Sequence, residues 1–281
     1  MKLIRSVLGS PSFKSLVGLT QLLSWDGIIK YLRTHYLCDK KSRAIDIVEY
    51  ENQIFVRELG QIQEPWLQVA ISKRMVDANV FVDVGSGDGM YVVLAQKHLG
   101  SAAIIIGIDP RNRARSKFAE LRQDDARWAG RMRFGQVALS DRCGTDFIRK
   151  DSLCKNIAAK NRHKARLVKT TTLDRLMFDD LGVCPDLIKI DVEGWEYTLL
   201  KGCKRIIAQC QSEFFIEIHW NYLVTSGYSG WDVLNLFDEQ SYNKELLYFG
   251  NGEPFPKTDR QGHGRYRKTA LSYYHISPKR R

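Results

Sequence analysis

The stretch "FVDVGSGDGMYVVLAQKHLG", residues 81–100, decides how the whole chain is read. A short apolar run, Val80–Val84, ends in a turn holding Gly85, Gly87 and Gly89, and from Tyr91 to His98 apolar residues return at helical spacing. Ala103–Ile108 is a second apolar run, closed by Asp109-Pro110. Strand, glycine turn, helix and strand in that order predict a βαβ unit. The alternation continues outward. Arg111–Gln123 reads as a helix, Met132–Leu139 and Leu167–Leu173 as strands, Asp186–Asp191 as a buried strand, Trp195–Ile207 as a helix and Glu213–His219 as a strand. A helix near Trp231–Phe237 and strands near Leu246–Phe249 and Ala270–Ile276 complete the series. This pattern predicts an α/β fold: a doubly wound, Rossmann-like, mostly parallel sheet with helices on both faces.

Upstream the pattern differs. Residues 1–43 carry helical spacing at Ile4, Val7 and Leu8 and again at Leu16, Leu19, Leu22 and Leu23, broken at Gly9-Ser10-Pro11. Residues 44–58 alternate apolar and polar around Glu51-Asn52-Gln53, as a hairpin does. The expected organisation is an N-terminal helical and hairpin extension over 1–75 and one domain over 76–281.

In such a sheet a ligand sits beyond the carboxyl ends of the strands, at the switch point beside the first strand. Asp109 closes the strand after the turn, where a carboxylate can grip ribose hydroxyls. The spacing is G-x-G-x-G, however, and Met90 stands where a dinucleotide fingerprint needs its third glycine. Asp83 in the strand and Asp88 in the turn would also repel a pyrophosphate. They suit a ligand with an ammonium and a sulfonium centre, and S-adenosylmethionine has both. The predicted cofactor contacts are Asp83, Gly85, Gly87 and Gly89 to its amino-acid part and Asp109 to its ribose, with Asp141, after the third strand, in reach of the adenine amino group.

The 281 residues suffice for one large domain with an extension, since domains run to about 100–200 residues. The net charge of +11 is unevenly placed: residues 111–167 hold 16 Lys and Arg against 6 Asp and Glu, and residues 1–43 and 251–281 each hold 8 against 2. Such clusters attract phosphates, anionic glycans, lipid headgroups or nucleic acid, and they also arise as solvated helix faces. Cys38, Cys143, Cys154, Cys184, Cys203 and Cys210 show neither a zinc-site spacing nor a disulfide framework, so reduced thiols in a cytoplasmic protein are expected. Lys14 and Asp26 flank the apolar run Leu16–Leu23 and no small-residue cleavage site follows, so no signal peptide is expected. No run approaches the roughly 20 apolar residues that span a bilayer.

The motifs "FVDVGSGDGMYVVLA", "IIGIDP", "VALSD" (137–141), "TTLDRL" (171–176), "DLIKIDVEGWEYTLLKG" (186–202) and "FIEIHW" (215–220) stand in the order and spacing of one family. From Val80 to Phe237 the chain resembles the FkbM-type methyltransferases. Ser86, Asp88 and Asp109 depart from that family's commoner residues. The resemblance implies the class I methyltransferase fold, S-adenosylmethionine as cofactor, and methyl transfer to an oxygen of a sugar, glycan or glycosylated natural product.

A sugar hydroxyl gives up its proton reluctantly, so a base within hydrogen-bond reach is expected. Asp191 and Glu193 end one strand, and Glu217 and His219, on one face of the next, end the other. Two arrangements remain open: a base, His219, with Asp191 and Glu217 as its carboxylate partners, its imidazole titrating near neutral pH; or a hard-metal site from Asp191, Glu193, Glu217 and His219. The first needs no metal. Glu193 as a helix cap and Glu217 as an ordinary ion-pair partner is the structural alternative. Trp195 and Trp220 are candidates for stacking on a sugar ring, with core packing the better reading for one of them.

The expected partner is a small-molecule or glycan substrate, with an anionic or lipid-linked one and peripheral contact with a membrane surface compatible with the charge. Nucleic acid is the less favoured partner, because the basic segment 111–133 carries only Phe118 and Trp128 as aromatics. A non-catalytic cofactor-fold protein is argued against by the intact glycine turn. Nothing in the sequence marks an oligomeric state.

Overall fold

The computed structural model describes residues 46–50, 53–58, 61–149, 152–154, 165–249 and 271–279. The helices expected within 1–43 lie outside these residues. The chain divides into two compact units, Met1–Val69 and Ala70–Arg281.

The first unit is an antiparallel sheet of β1 (Asp46–Tyr50), β2 (Gln53–Glu58) and β3 (Gln61–Ile62), with β1 and β2 forming the expected hairpin. It runs into a helix that the sequence pattern did not show, α1 (Pro65–Met75), and the division between units falls inside that helix. The Gln68 amide explains how a polar residue is buried here. Its Oε1 accepts from the Val56 N–H at 2.7 Å, and its Nε2 donates to the Val56 carbonyl at 2.8 Å.

The second unit is built on a seven-stranded sheet. Five strands are parallel: β4 (Val80–Val84), β5 (Ile104–Ile108), β6 (Met132–Gly135), β11 (Leu187–Ile190) and β12 (Glu213–His219). At the far edge β14 (Leu271–Pro278) runs antiparallel to both β12 and β13 (Tyr242–Phe249), giving the order β13-β14-β12-β11-β4-β5-β6. This is the expected mixed α/β, mostly parallel sheet. Its central strands are largely apolar, as buried parallel strands are, with Asp83 and Lys189 as buried exceptions in β4 and β11. Val82, Ile106, Ile188 and Ile216 form the buried middle of one core with Leu199, Phe214 and Trp220.

Several elements depart from the sequence reading. Met132–Leu139 is two strands, β6 and β7 (Ala138–Leu139), and β7 leaves the large sheet to pair with β10 (Arg166–Thr171). With β8 (Gly144–Arg149) and β9 (Ser152–Cys154) these form a separate four-stranded sheet. Spacing alone cannot reveal which sheet a strand joins. Trp195–Ile207 is broken into α4 (Glu196–Leu200) and α5 (Lys204–Gln209), because the Asp174 carboxylate accepts from the backbone N–H groups of Arg205 and Ile206 and so starts α5 afresh.

The cysteine expectation is corrected. Cys184 and Cys210 form a disulfide, with Cα atoms 6.0 Å apart. They precede β11 and β12, whose starts are neighbours because the strands are parallel and in register, Leu187 opposite Glu213. The 26-residue separation hides the pairing from any local motif. Of the described cysteines, Cys143 is exposed and Cys203 buried, and both are free thiols. Among the described residues no helix is long and apolar enough to cross a membrane.

Candidate active site

Strand register assembles the site. Val84, Ile108, Ile190 and Ile216 lie side by side in one row across β5, β4, β11 and β12. The next residue on each strand is Gly85, Asp109, Asp191 and Glu217, so all four emerge at the carboxyl edge together. Beyond this edge is an open cleft. Gly85, Asp109, Asp191, Glu193 and Trp195 line it, with Arg111 at its rim and an apolar wall of Val137, Ala138, Leu139 and Ile148.

The glycine turn packs onto the end of β11. Gly85 has φ of +78°, and a Cβ there would lie 1.8 Å from the Asp191 carbonyl oxygen, so no other residue fits. Gly87, at φ +54°, donates its N–H to Asp109 Oδ2 at 3.1 Å. Gly89 starts the helix α2 (Met90–His98). Gly85 and Asp109 thus reach the cleft directly, and Gly87 acts through Asp109. The Asp83 and Asp141 side chains are turned to other partners: Asp83 is buried 3.8 Å from Lys189 Nζ, and Asp141 pairs with Lys201 Nζ at 3.0 Å. Asp88 pairs with Arg113, on the helix α3 (Asn112–Asp124) that follows β5.

The strand-end residues form one charged cluster. His219 Nδ1 lies 2.8 Å from Glu196 Oε1, and its Nε2 is 3.4 Å from Glu217 Oε1 and 3.5 Å from Glu193 Oε2. Donor atoms of Asp191, Glu217 and His219 all fall within 4.8 Å of one another, a spread that fits groups sharing protons as well as groups around one cation. Lys189, buried in mid-strand, places its ammonium 3.3 Å from Asp191 Oδ2. Burial alone lowers the His219 pKa, but the Glu196 hydrogen bond and the charges of Glu196, Glu217 and Asp191 outweigh it and raise the imidazole to about 10. Burial likewise raises Asp191, yet the charges of Lys189 and His219 and hydrogen bonds from Lys189 and Glu217 hold it below the ordinary carboxylate value. His219 is therefore an imidazolium at neutral pH rather than a group titrating there.

Sequence reasoning missed Lys189, Glu196 and Tyr222. A lysine inside the apolar "LIKI" was a visible signal, since a buried ammonium demands carboxylates. Glu196 is fully buried, and nothing local marks it. Tyr222, in α6 (Trp220–Thr225), is 46% exposed and stacks on the His219 ring with centroids 5.7 Å apart. Trp220 is a core residue, fully buried, its indole N–H donating to Ser272 Oγ at 2.8 Å. Trp195 is buried in the cleft wall. Glu193 holds φ of +51°, one of two non-glycine residues in the left-handed region among those described, and strain of this kind gathers at functional sites.

The Methyltransferase FkbM domain family matches residues 83–244, more than half of the chain and the whole of this cluster. The chain belongs to the FkbM methyltransferase family. S-adenosylmethionine is its cofactor, and the lining is compatible with it: the Glu193 carboxylate would suit the ammonium, the Asp109 carboxylate the ribose, and the apolar wall the adenine. Among solved structures, the FkbM methyltransferase from Methylobacillus flagellatus KT is 16% identical, with a TM-score of 0.44 over 70% of this chain and 44% of that one. The chain thus spans less than half the length of that relative. An S-adenosylmethionine-dependent O-methyltransferase from Thermotoga maritima is 14% identical (TM-score 0.41; 84% of this chain, 78% of that one). A precorrin-6y C5,15-methyltransferase from Geobacter metallireducens GS-15 is 10% identical (TM-score 0.43; 77% and 90%). No curated protein matches the chain significantly.

Proposed function

We propose that this FkbM-family protein methylates a hydroxyl oxygen of a sugar, glycan or glycosylated natural product. The observation that carries the reading is the Asp191 carboxylate on the cleft wall, backed by Glu217 and His219. A neutral hydroxyl needs somewhere for its proton to go as the new bond forms, and a base in reach supplies typically 10²–10⁴-fold. Asp191 and Glu193 are the cluster members on the cleft wall, and Asp191, the one whose donor atoms group with those of Glu217 and His219, orients the hydroxyl and accepts the proton in this reading. His219 and Glu217 lie behind it as positioning residues. The imidazolium and Lys189 keep Asp191 ionised, and the Glu196 carboxylate fixes the ring by holding its Nδ1–H. Bound S-adenosylmethionine supplies a methyl group activated by its sulfonium.

The exposed Tyr222 ring beside the cluster supports an acceptor with an apolar ring face, as sugars have. The acceptor is anionic or lipid-linked in this reading, drawn by Arg115, Arg122 and Arg133, all exposed. Among the described residues here, Arg111, Arg113, Lys117, Arg127 and Arg142 pair with the carboxylates of Asp109, Asp88, Glu120, Asp125 and Asp141, whereas Arg115 bonds only to the neutral Gln136 amide. That favours a local anionic group, or peripheral contact with a headgroup surface, over an extended nucleic-acid backbone. The test uses cofactor carrying a ¹³C-methyl group with a panel of glycosides, lipid-linked glycans, amines and oligonucleotides, read by NMR. Label arriving as an O-methyl on a sugar supports the reading; label on nitrogen or on nucleic acid alone overturns it.

A further inference from the structure

Asp109 is the carboxylate placed to hold a ribose, yet its hydrogen-bonding capacity is already used. A carboxylate offers about four acceptor positions on its two oxygens. Oδ1 accepts from the Arg111 N–H at 2.8 Å and from Arg111 Nε at 2.9 Å; Oδ2 accepts from Arg111 Nη2 at 2.6 Å and from the Gly87 N–H at 3.1 Å. The Asp109 side chain is 1% exposed, so water offers no further partner. Arg111 Nε also reaches Oδ2 at 3.2 Å, so all but the Gly87 bond come from one residue.

These bonds are not equally permanent. The two backbone donors are fixed by the glycine turn and by the start of α3. The two guanidinium donors belong to a side chain that is 36% exposed at the cleft rim and can swing outward. Its departure frees one position on each oxygen, matching the two hydroxyls of a ribose cis-diol. We propose that Arg111 is an internal competitor for Asp109, and that the cofactor binds by ligand exchange, its ribose diol taking the positions that the guanidinium leaves. A charge-assisted, two-pronged guanidinium bond is stronger than bonds from neutral hydroxyls, so the exchange opposes binding. Arg111 thereby sets cofactor affinity from a residue that does not hold the cofactor. This inference concerns the cofactor alone and stands or falls independently of the acceptor.

The experiment is calorimetric titration of the full chain with S-adenosylhomocysteine, for the wild type, Arg111→Ala, Arg111→Lys, Asp109→Asn and the Asp109→Asn/Arg111→Ala double variant. Arg111→Ala should tighten binding by about three- to tenfold, modest because the arginine is partly exposed. Arg111→Lys, which keeps the charge and loses the fork, should fall between, and serves if the alanine variant folds poorly. Asp109→Asn should weaken binding, and in that background Arg111→Ala should change nothing, the coupling expected of a shared contact. Weaker or unchanged affinity in both Arg111 variants overturns the proposal, as does an equal gain with and without Asp109.

Discussion

Replacing His219 by Gln removes one buried positive charge while nearly keeping the volume of the side chain, and it isolates what the imidazolium does for Asp191. The interacting atoms lie within 4.8 Å. At an effective dielectric of about 20 two unit charges at that distance interact by about 3.5 kcal/mol, or about 2.5 pKa units, and in bulk water by about a quarter of that. His219→Gln should therefore raise the Asp191 pKa by about one to two units from its depressed value, with Lys189 still holding part of the shift. The assay is ¹³C NMR of Asp-labelled protein, with the Asp191 signal identified by its loss in Asp191→Asn. The same substitution has a thermodynamic sign. The folded-state pKa of His219, about 10, lies above the ordinary 6.5, so its stabilisation is full below pH 6.5 and is lost as pH rises through about 10. The wild type should lose its stability advantage over His219→Gln across that window, by up to about 5 kcal/mol. An unmoved Asp191 titration together with parallel stability–pH curves would refute the cluster's charge assignment.

The remaining predictions concern the turn, the disulfide and the acceptor. Gly87→Val puts a β-branched residue at φ +54°, so the N–H bond to Asp109 should be lost and S-adenosylhomocysteine affinity should fall at least tenfold, measured by calorimetry. Gly85→Ala should instead damage the fold, lowering the melting temperature through the clash with Asp191. Cys184→Ser opens a loop of 26 residues, for which chain entropy gives about 3.5 kcal/mol; a melting temperature lower by about 7–14 °C is expected, and an equal drop on reducing the wild type. Transfer to a phosphorylated or lipid-linked acceptor should slow as salt rises, because screening weakens attraction to exposed arginines; a rate flat across ionic strength would count against an anionic acceptor.

Gly85, Asp109, Asp191 and Glu217 were found because strand ends are marked by a switch from apolar runs to glycine or acid, and parallel register aligns such ends. The partners of those residues were not legible. Lys189 meets the cluster two residues along its own strand at Asp191, and Glu196 meets it only through the start of α4; the raised His219 pKa comes from Glu196, Glu217 and Asp191 brought together by the fold. Arg111 lay two residues from Asp109 in plain view, but only the folded turn shows its guanidinium spanning both carboxylate oxygens. β10 was read as a strand and β7 as the end of one running on from β6, both in a single sheet, since alternation reports burial and not partner. The Cys184–Cys210 bond depends on the same long-range register.

Asp191 is the group proposed to receive the acceptor's proton. Single-turnover transfer from bound S-adenosylmethionine to a sugar acceptor, compared between wild type and Asp191→Asn, tests this most directly. The expected rate is lower by about 10²-fold or more, with S-adenosylhomocysteine affinity within a few-fold of wild type and no response to a chelator. Near wild-type transfer in the variant, or activity abolished by chelation and restored by Mg²⁺ or Mn²⁺, would contradict it.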